Sequence, residues 1–244
     1  MNGKLTLILV ALALPGVIAT SWLALPVLLE SGSTPPVPLK TLQGATAIQG
    51  VVFVLLSAQL GSVLGQKVGL SSPTIWAILS RGRIAEAVRP QIWPGFVGGV
   101  LGAAILLGFY LFSPPELAEA QGAASIPLVV RVLYGGITEE VLIRWGLMTL
   151  LAWVGWRIVQ RGQGKPSGWI MGASIVISAL LFGISHVPAA IAAMTVVPVS
   201  VMVYITVGNA MFGIVAGYLF WRYGLEAAIV AHILAHLFAF GIRG

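Results

Sequence analysis

The chain has 244 residues, of which 58% are hydrophobic, 8% are charged and none is cysteine, and its mean hydropathy is +1.00. Soluble domains carry about 25% charged residues, so an ordinary soluble protein is excluded, as are disulfide and thiolate chemistry. The formal net charge of +6 does not indicate nucleic-acid binding, because no basic run with interleaved aromatic residues accompanies it.

Uncharged apolar runs recur along the chain, and each is long enough to cross a hydrocarbon core of about 30 Å. They are continuously apolar and do not alternate, which favours membrane helices over a β-barrel. The sequence therefore predicts an all-α, polytopic transmembrane bundle of about seven, or eight, helices. The seven predicted segments are 5–29, 45–66, 92–113, 126–156, 168–188, 199–221 and 225–242.

Loop charges predict the orientation of this bundle. The first apolar run follows Lys4 and is longer than a usual signal-peptide core, so we predict a membrane helix there. Basic residues concentrate in 67–90 and 157–165, whereas 113–122 holds only two glutamates and 187–198 has no charge. The positive-inside rule then predicts a cytoplasmic amino terminus and an external carboxyl terminus, with Arg243 as a mild exception. Such a chain suits a bacterial-type plasma membrane or an organellar membrane.

The fourth segment contains three charged residues in the stretch "GGITEEVLIRW" (135–145). An ionisable side chain inside a bilayer costs several kcal/mol and usually faces a cavity or a partner. Glu140 and Arg144 are four residues apart and share a helix face, so we expect them to pair. Glu139 points to a different side of the helix and is left free to act as a general base.

The three histidines of the chain also fall within the predicted segments or at their edges. His232 and His236 share one helix face by their spacing of four residues. The segment boundaries predict that Glu139, His186 and His236 lie between the middle of the bilayer and its outer half. Three helices would then form one polar site, although such groups can also serve only to pin helices together.

Other intramembrane residues have plainer interpretations. Asn209 can line a cavity, but we favour a hydrogen bond between helices. Arg131 lies eight residues before Glu139 and is interpreted as a side chain that snorkels to the membrane interface. Pairs of glycines four residues apart indicate close helix packing, and these pairs are Gly61/Gly65, Gly98/Gly102 and Gly213/Gly217.

These polar residues carry a resemblance to a known family. "EEVLIR" (139–144) resembles the EExxxR motif of the CPBP family of intramembrane proteases, which includes the type II CAAX prenyl proteases. "FGISH" resembles its FxxxH motif, with Phe182 and His186, and "HILAH" (232–236) stands where the family usually has HxxxN. The likeness covers roughly 130–240. We therefore divide one integral membrane domain into 1–120, which has no family signature, and 121–244, a CPBP-like catalytic core.

The resemblance implies an intramembrane endopeptidase that acts on membrane-associated, prenylated or peptide substrates, with the lipid bilayer as its other partner. By similarity, Glu139 and His186 would activate a water molecule, and the last motif would stabilise the oxyanion. Phe182 and Asn209 are candidates for a substrate-binding or structural role. The full set of catalytic candidates is Glu139, His186, Glu140, Arg144, His232 and His236.

Position 236 departs from the motif, because histidine replaces the usual asparagine and is able to bind metal. Two histidines four residues apart on a helix are a spacing used by zinc sites. The general-base glutamate of HExxH is missing, since residue 233 is Ile. The family has been described both as metalloproteases and as glutamate-dependent proteases. A Zn²⁺ cofactor stays open, and its candidate ligands are His186, His232, His236 and Glu139.

Two other classes of function compete with proteolysis. A proton-coupled transporter would use the buried Glu–Arg–His cluster as a relay, but the two related halves common in transporters are not evident. A non-catalytic membrane scaffold or assembly factor would be expected to lose the catalytic positions, and only position 236 departs from the motifs. The sequence therefore favours a protease and does not identify its substrate.

Overall fold

The structure is a computed structural model that describes residues 2–31, 37–123, 125–194 and 196–241. Within these ranges the chain forms helices joined by short connections. Helix α1 runs from Asn2–Ala19 through a π-helical turn, Thr20–Ala24, into Leu25–Ser31. The others are α2 Leu39–Val68, α3 Pro73–Leu79, α4 Ile84–Leu111, α5 Pro115–Ala123, α6 Leu128–Val159, α7 Gly168–Ile184, α8 Val187–Ala193, α9 Val199–Tyr223 and α10 Leu225–Phe240.

Six stretches are long and apolar enough to cross a membrane, namely α1, α2, α4, α6, α7 with α8, and α9, while α10 is a shorter apolar helix. Large apolar side chains on these helices are exposed, including Leu7, Ile48 and Trp93, as expected for surfaces that face lipid. The described residues contain no strand. The prediction of an all-α bundle with about seven membrane helices is confirmed, and the protein is an integral, multi-pass membrane protein.

Helix α6 lies between its neighbours and carries the charged stretch. It packs against α1, α2 and α10. The Trp145 indole donates a hydrogen bond to the Ala58 carbonyl of α2 at 3.2 Å, and the Thr138 hydroxyl donates to the Ala13 carbonyl of α1 at 2.7 Å. A Cβ on Gly61 would overlap the indole of Trp145. Buried side chains therefore hold α6 on two sides.

Glycines allow the other helices to approach closely, as their spacing predicted. Gly98 and Gly102 on α4 lie against Ala231 and Ala235 of α10, where any added Cβ would come within about 3 Å of a neighbour. Gly213 on α9 lies similarly close to Ala179 of α7. In lipid, where helices associate by close packing, small residues at such contacts stabilise the bundle.

Two irregularities in the helices determine where candidate functional residues lie. Helix α6 is π-helical over Arg131–Thr138 and Glu140–Met148, and such i→i+5 segments occur often at functional sites. Helix α7 ends at Ile184, and α8 begins at Val187 with Pro188 in its first turn. Proline lacks an N–H and suits the first turn of a helix. His186 consequently sits at a break in what the sequence predicted as one continuous segment.

Candidate active site

A buried cluster of three charged or polar side chains joins α6 to α10. One oxygen of Glu140, Oε1, accepts a hydrogen bond from His232 Nδ1 at 2.7 Å and lies 3.1 Å from Arg144 Nη1. Arg144 Nη2 approaches the Gly213 carbonyl of α9 at 3.4 Å, and its guanidinium stacks over the Phe182 ring at 4.6 Å. Glu140 and Arg144 are fully enclosed by protein. The predicted Glu140–Arg144 pair is thus present, and His232 joins it.

Glu139 has a different environment from its neighbour. Its Oε1 lies 3.7 Å from His186 Nε2, which is too long for a direct hydrogen bond and suitable for one bridging water. His186 Nδ1 lies 2.8 Å from the Phe182 carbonyl. A carbonyl oxygen only accepts, so Nδ1 carries a proton and Nε2 is the ring nitrogen that faces Glu139. The side chains are 14% and 30% exposed, so both groups remain accessible.

The last motif brings two histidine rings together. The rings of His232 and His236 stack with centroids 4.9 Å apart, and Phe212 contacts His232 at 4.4 Å. A Cβ on Gly135 would lie 2.6 Å from His236 Nε2 and 3.6 Å from His232 Nε2. Because Gly135 has no side chain, both Nε2 atoms come close to the α6 backbone at the wall of the cavity described below. Sequence reasoning missed this residue, although the glycine pair that opens "GGITEE" was a usable signal.

One cavity of about 790 Å³ gathers the accessible groups. Glu139, His186, His232 and His236 line it, together with Arg131 and with Tyr134, which the sequence analysis did not single out. Glu140 and Arg144 are not among its lining residues and lie behind the wall. Four of the six predicted catalytic residues thus face one space, and the other two support that space from within the protein.

The two candidates for a substrate-binding or structural role differ from each other. Asn209 lines the cavity, and its amide donates to the Ile205 carbonyl of its own helix at 2.9 Å. This bond is within α9, so the favoured hydrogen bond between helices is not among the bonds of Asn209 in the described residues and stays a prediction. Phe182 is buried, lies under the Arg144 guanidinium and meets the His186 ring edge-on at 4.7 Å. It fixes the positions of both side chains.

The predicted zinc ligands do not form a metal-binding set in this arrangement. No three His, Cys, Asp or Glu residues within the described ranges stand close enough to hold a metal ion. The hydrogen bonds at Nδ1 of His232 and of His186 leave Nε2 of both rings free to bind a metal. A structural or catalytic zinc needs at least three protein donors around one point. The described side chains do not supply such a set as they stand, and a Zn²⁺ cofactor stays a prediction.

A bundle of membrane helices that presents a glutamate–histidine pair to an internal cavity has the architecture of an intramembrane hydrolase. Residues 121–238 match the family model described as type II CAAX prenyl endopeptidase Rce1-like. That stretch is 118 of the 244 residues, and its match to this family confirms the suspected CPBP-type resemblance and supports a CAAX-type intramembrane protease at the level of the family. The chain matches no curated protein and no solved structure.

Proposed function

We propose that the protein is an intramembrane endopeptidase in which Glu139 and His186 activate the attacking water. The observation that carries this proposal is the 3.7 Å separation of Glu139 Oε1 and His186 Nε2 at the wall of the cavity. A water molecule between them donates one hydrogen to each acceptor. Its oxygen lone pairs then remain free to face a substrate in the cavity.

In the chemical step, Glu139 takes a proton from this water while the water oxygen attacks the scissile carbonyl carbon. His186 holds the water in place through Nε2, because the Phe182 carbonyl fixes its tautomer. The C–O bond forms and gives a tetrahedral intermediate with a negative oxygen. Glu139 then returns the proton to the leaving amine as the C–N bond breaks, so the carboxylate is regenerated at the end of the reaction.

The negative oxygen of that intermediate is stabilised by the histidines of α10. The space beside Gly135, close to both Nε2 atoms, is the proposed oxyanion site. The Glu140 carboxylate accepts Nδ1–H of His232 and orients that ring, while His236, whose Nδ1 has no hydrogen-bond partner among the described residues, donates to the oxyanion as its neutral Nε2–H tautomer. Arg144 keeps Glu140 in position. These two residues therefore assist the reaction without touching the substrate.

Loop charges support a specific orientation of this site. Because consecutive spans reverse direction, the α2–α4 and α6–α7 connections lie at one end of the bundle. These two connections are basic, with Lys67, Arg81, Arg83, Arg89, Arg157, Arg161 and Lys165 in or next to them. The cavity is lined by residues of the other end, including Leu28, Ser125 and Met194. We propose that the basic end is cytoplasmic and that substrates enter from the opposite side.

The proposed function is tested by incubating the purified protein with a library of membrane-segment peptides and analysing the products by mass spectrometry. Wild type should cleave a subset of peptides, and Glu139→Gln and His186→Ala should each lower the rate at least about 100-fold. Glu116→Gln, an exposed glutamate on α5, is the matched control and should keep full activity. A parallel reaction with a zinc chelator tests whether cleavage requires a metal ion.

Four outcomes are decisive. Cleavage that resists the chelator supports water activation by Glu139 and His186 alone, whereas loss that zinc reverses would show a metal requirement. Cleavage retained by Glu139→Gln would contradict the proposed general base. If the folded wild type cleaves nothing and both variants unfold at lower temperature than wild type, the glutamate and histidine serve the scaffold instead.

A further inference from the structure

Arg131 is a cationic group of the cavity that the proposed chemistry does not use. It lies in the first turns of α6, its Nε donates to the Ile126 carbonyl at 3.1 Å, and its guanidinium carbon stands 4.3 Å from the centre of the Phe240 ring. Arg131 also lines the same cavity as Glu139. The ion pairs of the described residues do not include Arg131.

The structure places Arg131 at the cavity wall, and the sequence-based interpretation of a side chain that snorkels to the membrane interface stays a prediction. The guanidinium is held at the cavity wall by Phe240 and by one backbone carbonyl, and the residue is partly buried. An arginine within a membrane span is costly unless an anion or a set of acceptors compensates it. The carbonyl, the aromatic face and the neighbouring Tyr110 satisfy only part of a group with five N–H donors. An anionic ligand in the cavity would complete its coordination.

We propose that Arg131 binds a carboxylate of the peptide substrate and thereby sets which bond reaches Glu139. The inference rests on the proposed function, because it places a substrate peptide in this cavity. A guanidinium binds a carboxylate through two parallel hydrogen bonds, which gives both strength and orientation. The carboxylate belongs either to the carboxyl terminus of the peptide or to an acidic side chain, and the experiment below distinguishes these sources.

The spacing of Arg131 and Glu139 limits where this carboxylate lies. Eight residues separate them along α6, and because this stretch is π-helical the separation is at most the roughly 12 Å given by the α-helical rise of 1.5 Å per residue. An extended peptide advances about 3.3 Å per residue. The recognised carboxylate therefore lies within about four residues of the cleaved bond. Phe240 fixes the guanidinium at this position, because it contacts Arg131 on one side and the His236 ring, at 6.2 Å, on the other.

The test measures binding in the Glu139→Gln background, so that it does not depend on cleavage. Three apolar decapeptides of the same core sequence are titrated against the full-length protein in neutral-lipid nanodiscs. One ends in a free carboxylate, one ends in an amide, and the third ends in an amide but carries a glutamate three residues from the end. At least one carboxylate-bearing peptide should bind about tenfold or more tightly than the neutral peptide, and that peptide identifies the source.

Arg131→Gln in the same background should abolish this preference, and Arg131→Lys should retain part of it, because lysine keeps the charge but not the planar fork. Arg222→Gln is the matched control, since Arg222 also stacks on an aromatic ring, that of Trp221, but is exposed outside the cavity. Equal binding of the three peptides, or no measurable binding of any, would overturn the inference, as would a preference that survives in Arg131→Gln.

A phospholipid is the competing anion. If anionic nanodiscs raise the thermal stability of wild type but not of Arg131→Gln, and the peptides do not distinguish the two proteins, Arg131 binds lipid and the inference is wrong. A different result would contradict the proposed function alone. In that result, binding would depend on the carboxylate and on Arg131, but wild type would cleave none of the three peptides.

Discussion

At the scale of single residues, two adjacent glutamates have opposite environments. Glu140 is enclosed with Arg144 and His232, whereas Glu139 faces the cavity and His186. Successive residues of a helix point in different directions, so neighbouring carboxylates can belong to different networks. The proposal gives Glu139 the chemical step and Glu140 the buried network that supports it, and these two roles are separable by mutation.

Glu140→Gln should lower the free energy of unfolding by about 3–5 kcal/mol, because it leaves a buried guanidinium without its counter-charge. Glu139→Gln should change stability by less than about 1 kcal/mol, since that side chain has no such partner. Thermal unfolding of both variants in one detergent measures the difference. Glu140→Gln combined with Arg144→Met should recover part of the loss, because it removes both charges. Equal stability of the two single variants would contradict this division.

Gly135→Ala should lower kcat/KM at least about 100-fold, because its Cβ would fill the proposed oxyanion space. Stability should change little, since the nearest atoms belong to the tip of the His236 ring. The neighbouring Gly136→Ala is the contrast, because its Cβ would press on the side chain and backbone of Ile233 and should destabilise the protein. Cleavage assays and melting temperatures compare the two variants. Full activity of Gly135→Ala would contradict the proposed oxyanion site beside Gly135.

At the scale of helices, the packing of α10 on α4 determines where the two histidines stand. Gly102 of α4 lies against Ala235, which precedes His236 in the sequence. Gly102 also lies against the ring of Phe212, which contacts the ring of His232. Any movement of α10 therefore shifts the oxyanion groups relative to Glu139. The geometry of the site therefore depends on contacts between small residues that are not themselves catalytic candidates.

Gly102→Leu should destabilise the bundle by about 1–3 kcal/mol, as overpacking typically does, and should lower cleavage at the same time. Gly108→Leu on the same helix is the matched control, because a Cβ at Gly108 meets nothing within 4 Å. Melting temperature and cleavage rate are measured for both. Similar behaviour of the two variants would indicate that close approach of α4 and α10 does not position the site.

Much of this organisation was predictable from the sequence, and particular residues show where prediction ended. Segment positions and the Glu140–Arg144 pair followed from apolar length and helical spacing, which are local properties. The Glu140–His232 hydrogen bond joins residues 92 positions apart, and only packing reveals it. The break at His186 was recognisable from Pro188. The inward position of Arg131 was not, because it depends on Phe240 at the far end of the chain.

At the scale of the whole molecule, the distribution of charge predicts the side from which the cavity is reached. The basic connections and the cavity mouth lie at opposite ends of the bundle. Positive charge near short loops is retained in the cytoplasm. A site that opens at the other end would act on segments of peptides or membrane proteins that lie outside the cytoplasm.

The absence of cysteine from the chain makes this orientation directly measurable. Ser125→Cys places one thiol at the cavity lining, and Gln163→Cys places one in the basic α6–α7 connection, where both native residues are exposed. In right-side-out membrane vesicles, an impermeant maleimide should label Ser125→Cys and should reach Gln163→Cys only after permeabilisation. Inside-out vesicles should give the reverse pattern. Labelling of Gln163→Cys in intact right-side-out vesicles would invert the orientation and require that substrates approach from the cytoplasm.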